Sequence, residues 1–239
     1  MAHTWENASS SRRLPLALKL ALTAFVCIQV PFYWSAYGPT NFLYFCDVAL
    51  FLTLVSVWTE KRLPASMAAV GILIPQFVWV HNFVGGLFGH PVLGMTSYMF
   101  RDSLPLSARA ISLFHGWLPF LLLYVLYRLG YDRRAFVAWT LLAWMLMLIG
   151  FFLLPAPPAP PEQPNLPVNI NYVYGMSDDK PQEWMPPLAW FAVMMTGLPL
   201  LFFLPTHLLL SRLAVRSFED KKVIPSNADP FRVAESGVD

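Results

Sequence analysis

Residues 134–154 read RAFVAWTLLAWMLMLIGFFLL, and after Arg134 this stretch contains no charged side chain. About 20 apolar residues are enough to cross the hydrocarbon core of a bilayer as a helix. The rest of the chain is similar, since 56% of its 239 residues are hydrophobic and only 13% are charged. Soluble domains carry about 25% charged residues. The sequence therefore predicts an all-α integral membrane protein.

Six apolar segments, including the one quoted, are long enough to span a membrane. Turn residues such as Gly38 or short runs of charges separate them. We therefore predict one bundle of six transmembrane helices within residues 14–213, preceded by a short segment, 1–13, and followed by a polar, disordered tail, 214–239. The six segments are 15–37, 40–59, 63–88, 105–129, 134–154 and 187–211.

The distribution of basic residues predicts the orientation of this bundle. Thirteen of the 16 Lys and Arg residues fall on one side, and only Arg101, Arg109 and Lys180 fall on the other. Cytoplasmic loops carry the excess of Lys and Arg. We therefore predict a multi-pass protein of the plasma (inner) membrane with both termini in the cytoplasm. A net charge of +2 gives no reason to expect nucleic acid as a partner.

Two longer loops are then predicted on the outer side, at 89–104 and 155–186. The second begins with PAPPAPPEQP (155–164), which favours the polyproline II conformation, and continues with NINYVYG (169–175). A long loop with its own aromatic and amide side chains is typically functional. We therefore expect it to lie over a site as a lid.

Most polar residues inside the predicted spans fall at one depth, roughly 10–15 Å below the outer surface at a rise of about 1.5 Å per residue. A carboxylate in lipid needs a partner, and Asp47 has His81 and His115 at its own level. We therefore predict a site in the outer half of the bilayer. The residues at this depth are Gln29, Cys46, Asp47, His81, Asn82 and His115.

Structural roles for the same residues remain open. Asp47 is also suited to anchor two helices by hydrogen bonds, His81 to lie at the membrane interface, and Cys46 to act as a small buried hydrophobic residue. One Asp and two His are enough to ligate zinc, but no pair of His residues has the spacing of ligands on one helix. We therefore predict no metal and no cofactor.

Several short stretches resemble a known superfamily. They are NFLYFCDVALFL (41–52), LFHGWLPFLLLY (113–124), NINYVYG (169–175) and PQEWMPP (181–187). In this order they resemble the bacterial YwaF-type membrane proteins and their eukaryotic transmembrane acyltransferase relatives. They are more distantly similar to the androgen-induced-gene group of intramembrane lipid hydrolases. The resemblance extends over roughly residues 38–205.

This resemblance implies a six-helix bundle that acts on lipid acyl esters, with a nucleophile on an early helix and a histidine on a later one. His115 falls on the family histidine. Cys46 falls where the acyltransferase relatives carry cysteine. The hydrolase group instead carries a threonine two residues earlier, and here that position is Tyr44. Cys46 is therefore the better candidate nucleophile.

Two functions follow as hypotheses. The first is an intramembrane lipid-acting enzyme, catalysing acyl transfer or ester hydrolysis, in which His115 acts on Cys46 as general base and Asp47 or His81 assists. Because Asp47 directly follows Cys46 on a helix, one of the two is expected to be structural.

In this hypothesis, substrate would be bound by Asn82 and by Asn169, Asn171 and Tyr172 of the outer loop, and membrane lipids would be its partners. The second hypothesis is a non-catalytic accessory or scaffold subunit of a larger membrane protein complex. A solute carrier is less consistent with the sequence, because the polar residues largely stop halfway across the bilayer.

Overall fold

The computed structural model of the protein describes residues 14–90, 96–100, 105–164, 166–177 and 180–223. Within these ranges the backbone forms helices joined by turns and loops, without any strand. The α-helices are α1 (Leu16–Tyr37), α2 (Phe45–Thr59), α3 (Arg62–Leu87), α4 (Leu106–Ser112), α5 (Phe114–Leu129), α6 (Ala135–Phe152), α7 (Pro187–Leu198) and α8 (Leu204–Val223).

Five stretches of helix in the described part of the chain are long and apolar enough to cross a membrane. The prediction of an all-helical protein with several membrane-spanning helices is confirmed to this extent. Two of the stretches combine consecutive elements, α4 with α5 and α7 with α8. The five are Leu16–Tyr37, Arg62–Leu87, Leu106–Leu129, Ala135–Phe152 and Pro187–Leu213.

The second predicted segment, 40–59, forms a shorter helix than the sequence suggests. A 3-10 turn covers Pro39–Leu43, and α2 has only 15 residues. At about 1.5 Å per residue α2 is about 22 Å long, less than the ~30 Å of a hydrocarbon core. Gly38 at φ 79° and the fixed φ of Pro39 impose the turn. By length, α2 therefore falls short of the five stretches above, and its crossing of the membrane stays a prediction.

The predicted disordered tail, 214–239, begins as helix, because α8 continues to Val223. The loop between α3 and α4 is described only in part. The residues outside the described ranges include 1–13, 91–95, 101–104 and 224–239.

Helix α3 lies at the centre of the bundle, where it contacts α2, α5, α6 and α8. Its buried face includes several small side chains, among them Ala65, Ala68 and Ala69. Small residues allow helices to approach closely inside a membrane. At Gly71 the approach is so close that the Trp139 indole of α6 occupies the space that a Cβ would need.

The bundle has two chemically different ends. We call the end that carries segments 38–44, 96–100 and the described parts of 153–186 the loop end. We call the end that carries the short connections 60–61 and 130–134 the basic end. The polar residues singled out from the sequence lie toward the loop end.

Candidate functional site

Asp47 joins three elements at the loop end. Its carboxylate is buried and accepts a hydrogen bond from Gln29 Nε2 of α1 at 2.7 Å. Asn41 Nδ2 of the 3-10 turn donates to the second oxygen at 3.4 Å. A buried carboxylate is tolerated only when donors replace the water that it loses. Asp47 therefore has the contacts of an interhelical anchor, one of the roles that the sequence left open.

The expected partners of Asp47 were His81 and His115, and the structure pairs it with Gln29 and Asn41 instead. Depth along a helix axis places side chains at one level but does not say which way they face. The direction in which α2 presents position 47, toward α1, decides the pairing.

A second polar group is formed by Tyr33, Ser112 and His115. Tyr33 lies one turn after Gln29 on α1, and its hydroxyl is 3.2 Å from Ser112 Oγ at the end of α4. His115 Nδ1 donates to the backbone carbonyl oxygen of Ser112 at 2.9 Å. Tyr33 also interacts electrostatically with Asp47 and Cys46. This group therefore lies next to the Asp47 anchor.

A break in the fourth predicted span makes the His115 contact possible. Gly116 N–H bonds the carbonyl of Leu113 at 2.9 Å, whereas in a continuous α-helix it would bond that of Ser112. The Ser112 carbonyl is thereby left for the His115 ring. The ring is also stacked on Trp79 of α3, with centroids 5.1 Å apart.

This hydrogen bond determines which nitrogen of His115 can act as a base. A carbonyl oxygen only accepts, so Nδ1 carries the hydrogen in the neutral ring and Nε2 carries the free lone pair. Within the described residues, Nε2 has no hydrogen-bond partner. A half-buried histidine with a fixed tautomer and an unused lone pair has the chemical form of a general base.

Segment 96–100 packs against the site from the loop between α3 and α4. Asn82 Nδ2 donates to Thr96 Oγ1 at 3.0 Å, which holds the segment on α3. Tyr98 lies close to Ser112 and interacts electrostatically with Cys46. Burial raises the pKa of the Tyr98 hydroxyl well above its usual value, so this group stays protonated and able to donate.

Cys46 and His115 are not in direct contact. Cys46 is half-buried, and its Sγ lies 3.9 Å from an Asp47 carboxylate oxygen. Among the described residues it makes no hydrogen bond to His115. Tyr33 and Tyr98 both interact electrostatically with Cys46, and both lie close to Ser112.

His81 is separate from both polar groups. Its side chain is exposed, whereas that of the next residue, Asn82, is fully buried. Consecutive residues on a helix point about 100° apart, so only one of them can face the bundle. In the described part of the chain His81 forms no hydrogen bond or ring contact with Asp47 or His115. The exposed position of His81 agrees with the interfacial role that the sequence left open.

The outer-loop residues hold the loop in place. Asn171 Oδ1 accepts the backbone N–H of Phe45 at 2.9 Å, and its Nδ2 donates to the carbonyl of Leu43 at 3.0 Å. Asn171 therefore caps α2, and it does so from φ 57°, a left-handed conformation that asparagine tolerates well.

Asn169 and Tyr172 stabilise the same loop. Asn169 Nδ2 donates to the carbonyls of Gly175 and Ser177, and its Oδ1 accepts the N–H of Tyr174 at 2.7 Å. The carbonyl of Tyr172 accepts a hydrogen bond from Trp190 Nε1 at 2.9 Å. The substrate-binding role of Asn169, Asn171 and Tyr172 stays a prediction. The amides of both asparagines already bond backbone groups.

Asn171→Ala is expected to destabilise the protein by about 2 kcal/mol or more, because it leaves a backbone N–H and a carbonyl without their partners. Denaturant unfolding in detergent micelles measures the loss, and proteolysis of the loop should accelerate in parallel. Gln163→Ala, an exposed change in the same loop, is the matched control and should have little effect. Equal stability of the two variants would mean that the hydrogen bonds of Asn171 do not hold the loop on α2.

Sequence reasoning missed Tyr33, Asn41, Ser112 and Tyr98. For two of them a signal was present. Tyr33 follows Gln29 by four residues and shares its helix face, and Ser112 precedes His115 by three. The positions of Asn41 and Tyr98 depend on how their turns fold back onto the bundle, which no short-range pattern specifies.

Comparison of the chain with models of protein families, with curated proteins and with solved structures found no match. The resemblance to the YwaF-type and androgen-induced-gene groups therefore stays a prediction. Among the described residues, no group of three His, Cys, Asp or Glu side chains is arranged to hold a metal ion.

Proposed function

We propose that the protein is an intramembrane lipid-acting enzyme of the acyl-transfer or ester-hydrolysis class, with its site at the loop end. The observation that carries the proposal is His115, whose Nδ1 is fixed by the Ser112 carbonyl and whose Nε2 is left as a base. A half-buried imidazole of fixed orientation, inside an apolar bundle that also carries a thiol, supports chemistry on a lipid more than on a soluble substrate.

The proposed topology places six helices across the inner membrane, with both termini cytoplasmic and the loop end facing outward. The excess of Lys and Arg at the basic end supports this orientation. Helix α2, with the 3-10 turn before it, would be the sixth crossing. It would be completed by local thinning of the bilayer, a usual response to a short apolar helix.

In the proposed reaction Cys46 attacks the carbonyl carbon of a phospholipid acyl ester. Its Sγ proton passes to His115 Nε2, the Sγ–C bond forms and the ester C–O bond breaks. His115 then returns the proton to the leaving alkoxide oxygen. The acyl group passes from the thioester to an acceptor hydroxyl or to water.

Binding of the acyl chain must bring Cys46 Sγ and His115 Nε2 within hydrogen-bonding distance, as catalytic contacts often tighten only with substrate bound. The hydroxyls of Tyr33 and Tyr98, which both interact electrostatically with Cys46, are the candidate donors to the oxyanion. Asp47 contributes by holding α1 and α2 together.

Trapping the thioester tests this function. The purified protein in nanodiscs is incubated with phospholipids that carry an alkyne-tagged acyl chain. We expect covalent label that hydroxylamine removes, and we expect Cys46→Ala to abolish it. Cys27, the other cysteine, is exposed on α1 and free, so Cys27→Ala is the matched control and should keep the label. Label that survives Cys46→Ala, or that is lost with Cys27→Ala, would reject the nucleophile.

The second candidate function is an accessory subunit of a membrane complex. The observation that favours it is the exposed apolar surface of the anchored loop, where Met176 is 69% and Trp184 is 71% exposed. Such a surface suits a protein partner at the loop end. Native purification separates the candidates: a stoichiometric partner lost on Trp184→Ser would support this function.

A further inference from the structure

A cleft of ≈ 480 Å³ opens at the basic end, far from the candidate site. It lies between the α2–α3 connection and the α5–α6 connection. Its polar wall consists of Glu60, Lys61, Arg62, Asp132 and Arg134.

The two acidic residues of the cleft already have cationic partners. Lys19 Nζ lies 2.7 Å from Glu60 Oε1. Arg134 donates to both oxygens of Asp132, from Nε at 3.1 Å and Nη2 at 2.8 Å. These bonds lower the pKa of Asp132 and keep it ionised. The acids therefore do little to neutralise the remaining basic side chains.

Lys61 and Arg62 supply the excess positive charge. The side chain of Arg62 is 55% exposed, and its closest approach to Asp132 is a long 3.9 Å contact. Lys61 is exposed and forms no ion pair within the described residues. Lys61 is also the N-cap of α3, without a side-chain cap, so the first amide groups of a long helix add their partial positive charge.

The cleft also has an apolar wall, made by Leu63, Pro64 and Leu129. A free anion would gain nothing from this wall. A phospholipid would place its phosphate against the cations and its glycerol and first methylenes against the apolar side chains.

We propose that this cleft binds the headgroup of an anionic phospholipid, with Lys61 and Arg62 as its phosphate ligands. A phosphate group is the chemistry that the cleft recognises, and the apolar wall favours the lipid over free phosphate. The bound lipid bridges the α2–α3 and α5–α6 connections and stabilises the basic end. This site is independent of any reaction at the loop end.

Lipid titration of the protein in micelles of a nonionic detergent that carries no phosphate tests the proposal. Native mass spectrometry measures the occupancy of added phosphatidylglycerol. We expect Lys61→Gln/Arg62→Gln to weaken binding about tenfold or more, since each cation near a membrane surface contributes severalfold in affinity. Arg133→Gln is the matched control, because Arg133 is an exposed cation of the same end that does not line the cleft. It should change binding less than twofold.

Two further arms complete the experiment. Excess inorganic phosphate should displace little phosphatidylglycerol, and complete displacement would identify a phosphate site instead. The single variant Lys61→Gln, which leaves the Asp132 contacts intact, gives the same comparison should the double variant not fold. Equal binding by wild type and Lys61→Gln, or equal losses for Lys61→Gln and Arg133→Gln, would overturn the proposal.

Discussion

His115→Gln is expected to lower the rate of acyl release from phospholipid by about a hundredfold or more, the usual contribution of a general base. The substituted amide can still donate to the Ser112 carbonyl, so the local fold should survive. It cannot take a proton from Cys46. Initial rates with labelled phospholipid, measured alongside unfolding temperature, separate the two effects.

The matched control for this prediction is His81→Gln. His81 has the same chemistry and a similar predicted depth, but its exposed side chain faces away from the site. The activity of the His81→Gln variant should stay within about twofold of wild type. A loss shared equally by both variants would point to a general requirement for histidine in the bundle. An unchanged rate in His115→Gln would remove the base from the mechanism.

The sequence predicted which residues lie at the site better than how they pair. Lipid penalises a polar side chain that has no partner, so polar side chains within a membrane gather where they can pair. Gln29, Asp47 and His115 accordingly all lie toward the loop end. Their pairing depends on the rotation of each helix about its axis. That rotation is fixed by packing around α3, where Gly71 and three buried alanines determine which faces meet.

The outer loop shows a different limit of sequence reasoning. Asparagines in a long loop suggested donors for a substrate, yet Asn171 caps α2, which lies far away in sequence. Left-handed backbone at Asn169, Asn171 and Tyr172 makes this possible. Such conformations are stable only when tertiary contacts hold them. The sequence of the loop alone therefore could not reveal that Asn171 bonds the start of α2.

The break before α5 was equally hard to predict. Segment 105–129 reads as one apolar helix, and the chain gives no proline or charge at position 113. The consequence is chemical, because the altered hydrogen bond of Gly116 releases the carbonyl that orients His115. Irregular backbone inside a membrane is tolerated where polar side chains take up the freed groups.

Gly71→Ala is expected to cost about 3 kcal/mol, the upper part of the usual range for overpacking a core. The new methyl group would overlap the indole of Trp139. That ring is completely buried, and it has edge contacts with Phe45 at 5.7 Å and Phe203 at 6.2 Å between centroids. Because these two rings confine the indole, we expect α3 and α6 to separate. Denaturant unfolding in micelles measures the loss.

Gly197→Ala is the control, because a Cβ at this helical glycine of α7 meets nothing within 4 Å. It should be neutral or slightly stabilising, since alanine favours helix.

The double variant Gly71→Ala/Trp139→Leu should recover part of the loss relative to the sum of the single changes, because the smaller side chain vacates the overlapped space. Additive losses would mean that the Trp139 ring does not lie on Gly71. Because Phe45 immediately precedes Cys46, a displaced Trp139 should also reduce thioester formation, and the double variant should restore it in proportion to stability.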